Sequence, residues 1–228
     1  MTFEIDPRRY KVIDLSYEVV PGENPDRPFA VQKALLQDAT YRYDVLKTHT
    51  HVGSHVECPF HFYDKGKTIT DYPLEAFYGR AVLLSVREQG DFPAITDRYL
   101  DEDLGRLVQA GDIVIARNDS RAVLSKEDVH RGGVESAPYF TAEAAEWLRD
   151  RGVKLLGLDF IQLGKDIPAT RRFHDILMAR DVVLVEILSN LKAISKKEFF
   201  FMGLPFKVRR MDSGWIRAIA IEERPASE

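Results

Sequence analysis

Three observations predict a mixed α/β or α+β fold with a mainly β core and helices packed outside it. Short apolar runs of strand length recur along the 228 residues. A smaller number of segments carry helical spacing instead. No Pro/Gly/Ser-rich linker, internal repeat or low-complexity stretch divides residues 1–228, so the expectation is one domain. A domain of this size buries well over half of its surface and needs no covalent staples.

The elements follow in order. Residues 11–20 (KVIDLSYEVV) read as a strand stopped by Pro21-Gly22, and 22–28 as a polar, exposed loop rich in turn residues. Residues 43–50 alternate enough to be extended before Gly53 interrupts them. Residues 80–86 (RAVLLSV) and 112–116 (DIVIA) are short runs rich in β-branched residues. Between them, 97–110 carry helical spacing up to Gly111, a suitable C-cap. Residues 141–151 (TAEAAEWLRDR) form the strongest helix: Thr141 opens it, Ala145 and Leu148 line one face, and Gly152 closes it. A buried strand over 153–160, a helix over 171–180, a strand over 182–188 and a last strand over 215–222 complete the series.

Composition excludes some functions. The chain is 45% apolar and 30% charged, with a net charge of −4 and a pI near 5.9. Lys196-Lys197 and Arg209-Arg210 are short basic pairs that read as solvated faces, so no nucleic-acid partner is expected. A single cysteine forms no intrachain disulfide. The N-terminal segment lacks the apolar run of a signal peptide, and nothing approaches the roughly 20 apolar residues of a membrane span. The expectation is a cytoplasmic protein, with no membrane partner, acting on a small molecule.

Histidine usage is the anomaly. Of the six histidines, His49, His51, His55 and His61 fall in the segment 48–62, THTHVGSHVECPFHF. His49, His51, Gly53, His55, Glu57, Pro59 and His61 all sit at odd positions, which an extended backbone aims at one face. A straight strand would still hold His51 and His55 about 13 Å apart at ~3.3 Å per residue. Two ligands with metal bonds of ~2.0–2.1 Å lie only about 3–4 Å from each other. The chain must therefore bend, and Gly53-Ser54 permits it. Val52, Gly53, Val56 and Pro59 oppose a helix, which leaves a bent strand or loop. Glu57 adds the carboxylate that hydrolytic metal sites mix with imidazole, leaving room for water. Pro59 stops a helix from reaching His61, which is either a further ligand or a free imidazole suited to acid–base work. Cys58, at an even position, turns away as a small buried residue.

Two distant residues join this set. Glu186 lies inside DVVLVEIL, where it shares a face with Leu184 and Leu188 while Val183, Val185 and Ile187 take the other. A carboxylate in such a run faces solvent, keeps its proton or meets a cation, and a metal is the least costly of these readings, ahead of a simple salt bridge. His174, twelve residues earlier on the helix over 171–180, would bring a second set of ligands together with Glu186.

These residues resemble the cyclase family of metal-dependent hydrolases, which includes bacterial kynurenine formamidase and isatin hydrolase. The family motif H-x-G-T-H-x-D-x-P-x-H-F reads here as His51-Val52-Gly53-Ser54-His55-Val56-Glu57-Cys58-Pro59-Phe60-His61-Phe62. Asp14-Leu15-Ser16, Gly157-Leu158-Asp159, the His174, Leu177, Glu186, Asn190, Leu191 set and Ile216-Arg217-Ala218-Ile219-Ala220 match the shorter motifs in order. The resemblance implies a β-rich α/β domain of the swivelling β/β/α type, assembled as a homodimer or homotetramer. It also implies one or two Zn2+ or Mn2+ ions. His51, His55 and Glu57 would bind the first, and Glu57 would bridge to a second held by His174 and Glu186. His61 would be the catalytic histidine. The implied reaction is hydrolysis of a carbon–nitrogen bond (amide, formamide or lactam). Phe60, Phe62, Tyr63 and Phe160 read either as an aromatic wall for a flat substrate or as core residues. A cyclase or dehydratase of the same family, and a metal-binding protein without turnover, are the alternatives. Ser54 replaces the family threonine and keeps its hydroxyl; Glu57 replaces the aspartate and is one methylene longer. The stretch FIQLGKD after the Gly157-Leu158-Asp159 element, expected near the substrate, lacks the usual serine and aspartate.

Overall fold

The computed structural model describes residues 5–37, 40–87, 93–119 and 137–224. It opens with β1 (Tyr10–Asp14), shorter than the alternation over 11–20 suggests, because beyond Asp14 only Ser16 bridges, to Leu188. A ribbon follows, β2 (Ala30–Leu35) antiparallel to β3 (Tyr41–Lys47), with Leu35, Tyr41, Tyr43, Val45 and Leu46 exposed. Strand β4 (His55–Glu57) is three residues long and wholly buried. Strands β5 (Tyr78–Val86), β7 (Ile113–Asn118), β9 (Leu155–Leu158) and β10 (Val183–Glu186) then lie parallel in that spatial order. Parallel neighbours need crossovers rather than tight turns, and these returns carry α1 (Asp97–Leu104), α2 (Ala142–Asp150) and α3 (Ile167–Met178). A small parallel pair, β6 (Ala94–Ile95) and β8 (Tyr139–Phe140), lies apart from the main sheet.

The last two strands close the sheet. Strand β11 (Glu198–Pro205) pairs antiparallel with β5 and with β12 (Ser213–Glu223). Residues at the start of β12 pair with β4, and those at its end with β1. Because β4 also pairs with β10, the strands β12-β11-β5-β7-β9-β10-β4 form a ring, with β1 added beside β12. The fold is thus a single mixed α/β domain built mostly of strands.

Period-2 alternation sends the strand residues into two cores. Ala81, Leu83, Ile113, Ile115, Val183, Val185, Phe201 and Ala218 fill the ring. Val82, Leu84, Val114, Leu156 and Leu184 face outward and are covered by Leu100, Leu148, Phe173 and Leu177 of the three helices.

Besides β1, four elements differ from the sequence expectation for a local reason. Helix α1 ends at Leu104, where Gly105 caps it, and not at Ala110. Helix α3 begins at Ile167, ahead of 171, because the Asp166 side chain accepts from Ala169 N and Pro168 is tolerated in a first turn. Strand β11 has apolar residues on both faces (Phe199, Phe200, Phe201, Met202), which masks its period. Strand β10 stops at Glu186 because Ile187 takes φ +57°, a conformation costly for a β-branched residue. That reversal breaks the parity expected for 182–188: Leu188 packs inside the ring, on the opposite side from Glu186 and Leu184.

Candidate metal centre

The bend required by the histidine spacing is present. Residues 50–54 form a turn with Gly53 at φ +65°, and a Cβ there would lie 2.5 Å from Val19 Cγ2. Ser54 fixes the turn: its hydroxyl donates to the Ile187 carbonyl at 2.6 Å and accepts from Tyr17 N at 2.8 Å. The turn brings His51 Nδ1 to 3.2 Å from His55 Nε2. Strand β4 then sends Val56 into the ring and His55 and Glu57 to the outer side, where Glu186 lies opposite His55 in the register. Pro59 does stop a helix from Glu57, but it also starts one turn of 3-10 helix, Pro59–His61, which lifts His61 to the same cavity.

Backbone and carboxylate acceptors set the imidazole tautomers. His55 Nδ1–H donates to the Gly53 carbonyl at 2.8 Å, and His174 Nδ1–H donates to the Thr170 carbonyl at 2.7 Å. His51 Nε2–H donates to Asp212 Oδ2 at 2.9 Å. The remaining nitrogens point inward, His51 Nδ1 to 2.8 Å from Glu57 Oε1 and His174 Nε2 to 4.0 Å from Glu57 Oε2. His55 Nε2 lies 3.5 Å from Glu57 Oε1 and 3.8 Å from Glu186 Oε2. Two sets of atoms, from His51, Glu57 and His61 and from His55, Glu57 and Glu186, each fall within 4.8 Å of one another. Inward nitrogens on oriented imidazoles, faced by buried carboxylates, are a donor set that fits a divalent transition metal, which would replace the proton that His51 Nδ1 shares with Glu57.

The electrostatics say the same. Burial pushes Glu186 up to about 8, aided by the negative Glu57. Burial also opposes ionisation of Glu57, but the hydrogen bonds from His51 and His55 win and hold it well below the usual carboxylate range. Burial lowers His55 and His174. It opposes the charge on His51 too, yet hydrogen bonds to Asp212 and Glu57 raise that group to about 9. Two carboxylates that cannot both ionise in one pocket call for positive charge between them.

Asp212, on the residue before β12, escaped the sequence reading. Its Oδ2 accepts from both His51 Nε2 and His61 Nδ1 at 2.9 Å, and its Oδ1 accepts from Thr50 at 3.0 Å. These bonds hold its carboxyl far below the ordinary range. The one signal in the sequence was its place immediately before the closing strand, and that becomes informative only once β12 is known to pair with β4. Gln162 was missed as well; its backbone N–H donates to Glu186 at 2.7 Å.

The cavity over these groups measures about 470 Å³. Phe62, Ile161 and Leu163 supply its apolar wall, so the FIQLGKD stretch does border it. Phe62 meets His174 with ring centroids 4.8 Å apart. The other two phenylalanines of the expected wall are elsewhere. Phe160 is 1% exposed and stacks on Phe140 in the helix-covered core, because it follows the outward-facing Leu158 by two residues. Phe60 packs against the core inside the ring, since the 3-10 turn rotates it away from His61 and Phe62. Cys58 is buried as expected; its thiol donates to the Asp212 carbonyl at 3.0 Å, and burial pushes it up to about 12.

A family model described as "Putative cyclase" matches residues 13–165. The chain belongs to this family. A kynurenine formamidase from Bordetella petrii is 24% identical, with 90% of this chain and 91% of that protein aligned. Cyclase-like protein 1 from Arabidopsis thaliana is 26% identical over 93% of this chain and 85% of its own. The solved isatin hydrolase A of Labrenzia aggregata superposes with a TM-score of 0.73 at 19% identity, covering 93% of both chains, and so shares the fold.

Proposed function

We propose that this cyclase-family chain is a metal-dependent hydrolase cleaving a carbon–nitrogen bond (amide, formamide or lactam) in a small aromatic substrate. The observation that carries the reading is the convergence of the inward His51, His55 and His174 nitrogens on Glu57 and Glu186 at the floor of the cavity. The names of two relatives, a kynurenine formamidase and an isatin hydrolase, support the bond class. His51, His55 and Glu57 would hold one zinc or manganese ion, and His174 and Glu186, shared with Glu57, a second; a metal there polarises a carbonyl and lowers the pKa of water from ~15.7 toward ~7.

The chain's own groups do the rest. A carboxylate only accepts hydrogen bonds, so His61 Nδ1 carries its proton toward Asp212 and Nε2 keeps the lone pair. His61 takes the proton of the attacking water through Nε2 and delivers it to the departing nitrogen. Asp212 holds the tautomer and offsets the positive charge that His61 acquires. Phe62, Ile161 and Leu163 hold the flat body of the substrate and exclude water from its far side.

His61→Ala tests this. Hydrolysis of an aryl formamide should fall by about 10²–10⁴-fold while bound zinc or manganese, measured by elemental analysis, stays at the wild-type level. A matching loss of metal would make His61 a ligand and end its role as proton carrier. Metal-loaded wild-type protein inert toward aryl formamides, lactams and cyclic imides would end the hydrolase reading. Oxygen from labelled water in the product separates hydrolysis from cyclisation or dehydration. The same reading has the protein cytoplasmic and a homodimer or homotetramer. The exposed Tyr41, Tyr43, Val45 and Leu46 on the ribbon support self-association, and a monomer by sedimentation velocity would oppose it.

A further inference from the structure

Arg27 lies in the loop between β1 and β2, where the sequence promised only an exposed turn. It is half-buried instead, and it lines the same cavity as His51, Glu57, Glu186 and Phe62. Two contacts hold it there. Its backbone N–H donates to Asn24 Oδ1 at 3.0 Å, and its Nη1 donates to the backbone carbonyl of His51, on the turn that carries the candidate ligands.

The comparison with other partly buried arginines is informative. Arg80 pairs with Asp112 and Glu198, Arg117 with Asp119 and Arg151 with Asp101. Among the described residues, Arg27 forms no ion pair with any carboxylate. Of the carboxylates lining the cavity, Glu57 is engaged by His51 and Glu186 by the Gln162 backbone N–H and the His55 ring, while Asp26, next to Arg27 in sequence, makes no ion pair with it. A guanidinium withdrawn from water needs a partner, and its planar fork matches a carboxylate through two parallel N–H bonds.

We infer that Arg27 selects an anionic substrate: its guanidinium takes a carboxylate carried by the substrate, or by the hydrolysis product, beside the candidate centre. This rests on the hydrolase reading of the cavity and adds the substrate class. A lactam that opens to a carboxylate, or an aryl formamide bearing a neighbouring carboxylate, meets the requirement; a neutral formamide does not.

The test separates recognition from turnover. Binding of 2-aminobenzoate and of its neutral counterpart 2-aminobenzamide to the metal-loaded protein is measured by calorimetry for wild type, Arg27→Gln and Arg27→Lys. The expected result is a wild-type preference for the carboxylate that falls by about tenfold to a hundredfold in Arg27→Gln, the range of a charge-assisted pair. Arg27→Lys, which keeps the charge and loses the fork, should fall between them, and it carries the comparison if Arg27→Gln melts early. An unchanged preference, or an equal loss of both ligands, would overturn the assignment. The kcat/KM ratio for N-formyl-2-aminobenzoate over formanilide should shift in parallel. If wild type binds the carboxylate selectively but hydrolyses neither formamide, the hydrolase reading falls and the role of Arg27 in anion recognition stands.

Discussion

At the scale of single residues, the centre is a set of ligand atoms plus the acceptors that aim them. Gly53 O and Thr170 O each take one imidazole N–H, Asp212 Oδ2 takes two, and each acceptor thereby turns the other ring nitrogen inward. Because one oxygen of Asp212 serves both rings, Asp212→Asn weakens both bonds together by removing the negative charge that strengthens them. Metal affinity and kcat should each fall by about 10–100-fold, read by metal competition and by steady-state kinetics. A drop in kcat with metal affinity intact would confine its role to His61. Asp159 provides a pH prediction away from the centre. Burial pushes its carboxyl up to about 7, against an ordinary value of 3.8. The folded chain therefore binds more protons than the unfolded one between pH 4 and 7, so this group's contribution to stability falls as pH rises through that window. Asp159→Asn should flatten the decline, seen as a urea midpoint that changes less from pH 4 to 7 than in wild type. Legibility at this scale followed chemistry carried by residue type. His51, His55, Glu57, His61 and Glu186 announced themselves by crowding or by a misplaced charge, while His174 drew notice only through its pairing with Glu186 and the family motif. Asp212 and Arg27 did not, because an aspartate in one loop and an arginine in another look ordinary until folding brings them to the histidines.

At the scale of elements, the seam of the ring decides where the centre forms. Strand β4 is a three-residue bridge between β10 and β12, and all of its residues are buried. Ser54, just ahead of it, is tied to the end of β10 through Ile187 and to Tyr17 after β1. Ser54→Ala strands the Tyr17 N–H and removes a bond at the strained Ile187, so unfolding of the metal-free protein should become about 1–3 kcal/mol easier, while Ser54→Thr recovers the loss. Unchanged urea midpoints for both would show that the hydroxyl does not brace the seam. Sequence periodicity found β5, β7, β9, α2 and β12 because each presents a clean two- or 3.6-residue pattern with a stop signal. It failed at β11, which is apolar on both faces, and at the end of β10, where one left-handed residue reverses the faces without any glycine to mark it.

At the scale of the whole molecule, the candidate ligands come from the His51 turn, β4, α3 and β10, with Asp212 just ahead of β12. A cation held by all of them would cross-brace the closure. Metal-loaded protein should therefore gain about 2.7 kcal/mol at a hundredfold excess over Kd. The amide protons of Val56 and Val185 should exchange more slowly than in the metal-free form, by hydrogen exchange. Equal exchange in both forms would show that the seam does not depend on the ion. The ring was legible as a fold class but not as a closure, because no local pattern reports that one strand serves three neighbours. That sharing has a consequence for the order of events in the cell. The His51–Asp212 contact spans 161 residues, and β4 gains its second neighbour only when β12 has been made. A chain made only as far as β11 would lack Asp212, leaving His51 and His61 without their shared acceptor and β4 with β10 as its one neighbour. Full metal affinity would then arrive only with β12, so a tightly held ion would report a closed barrel.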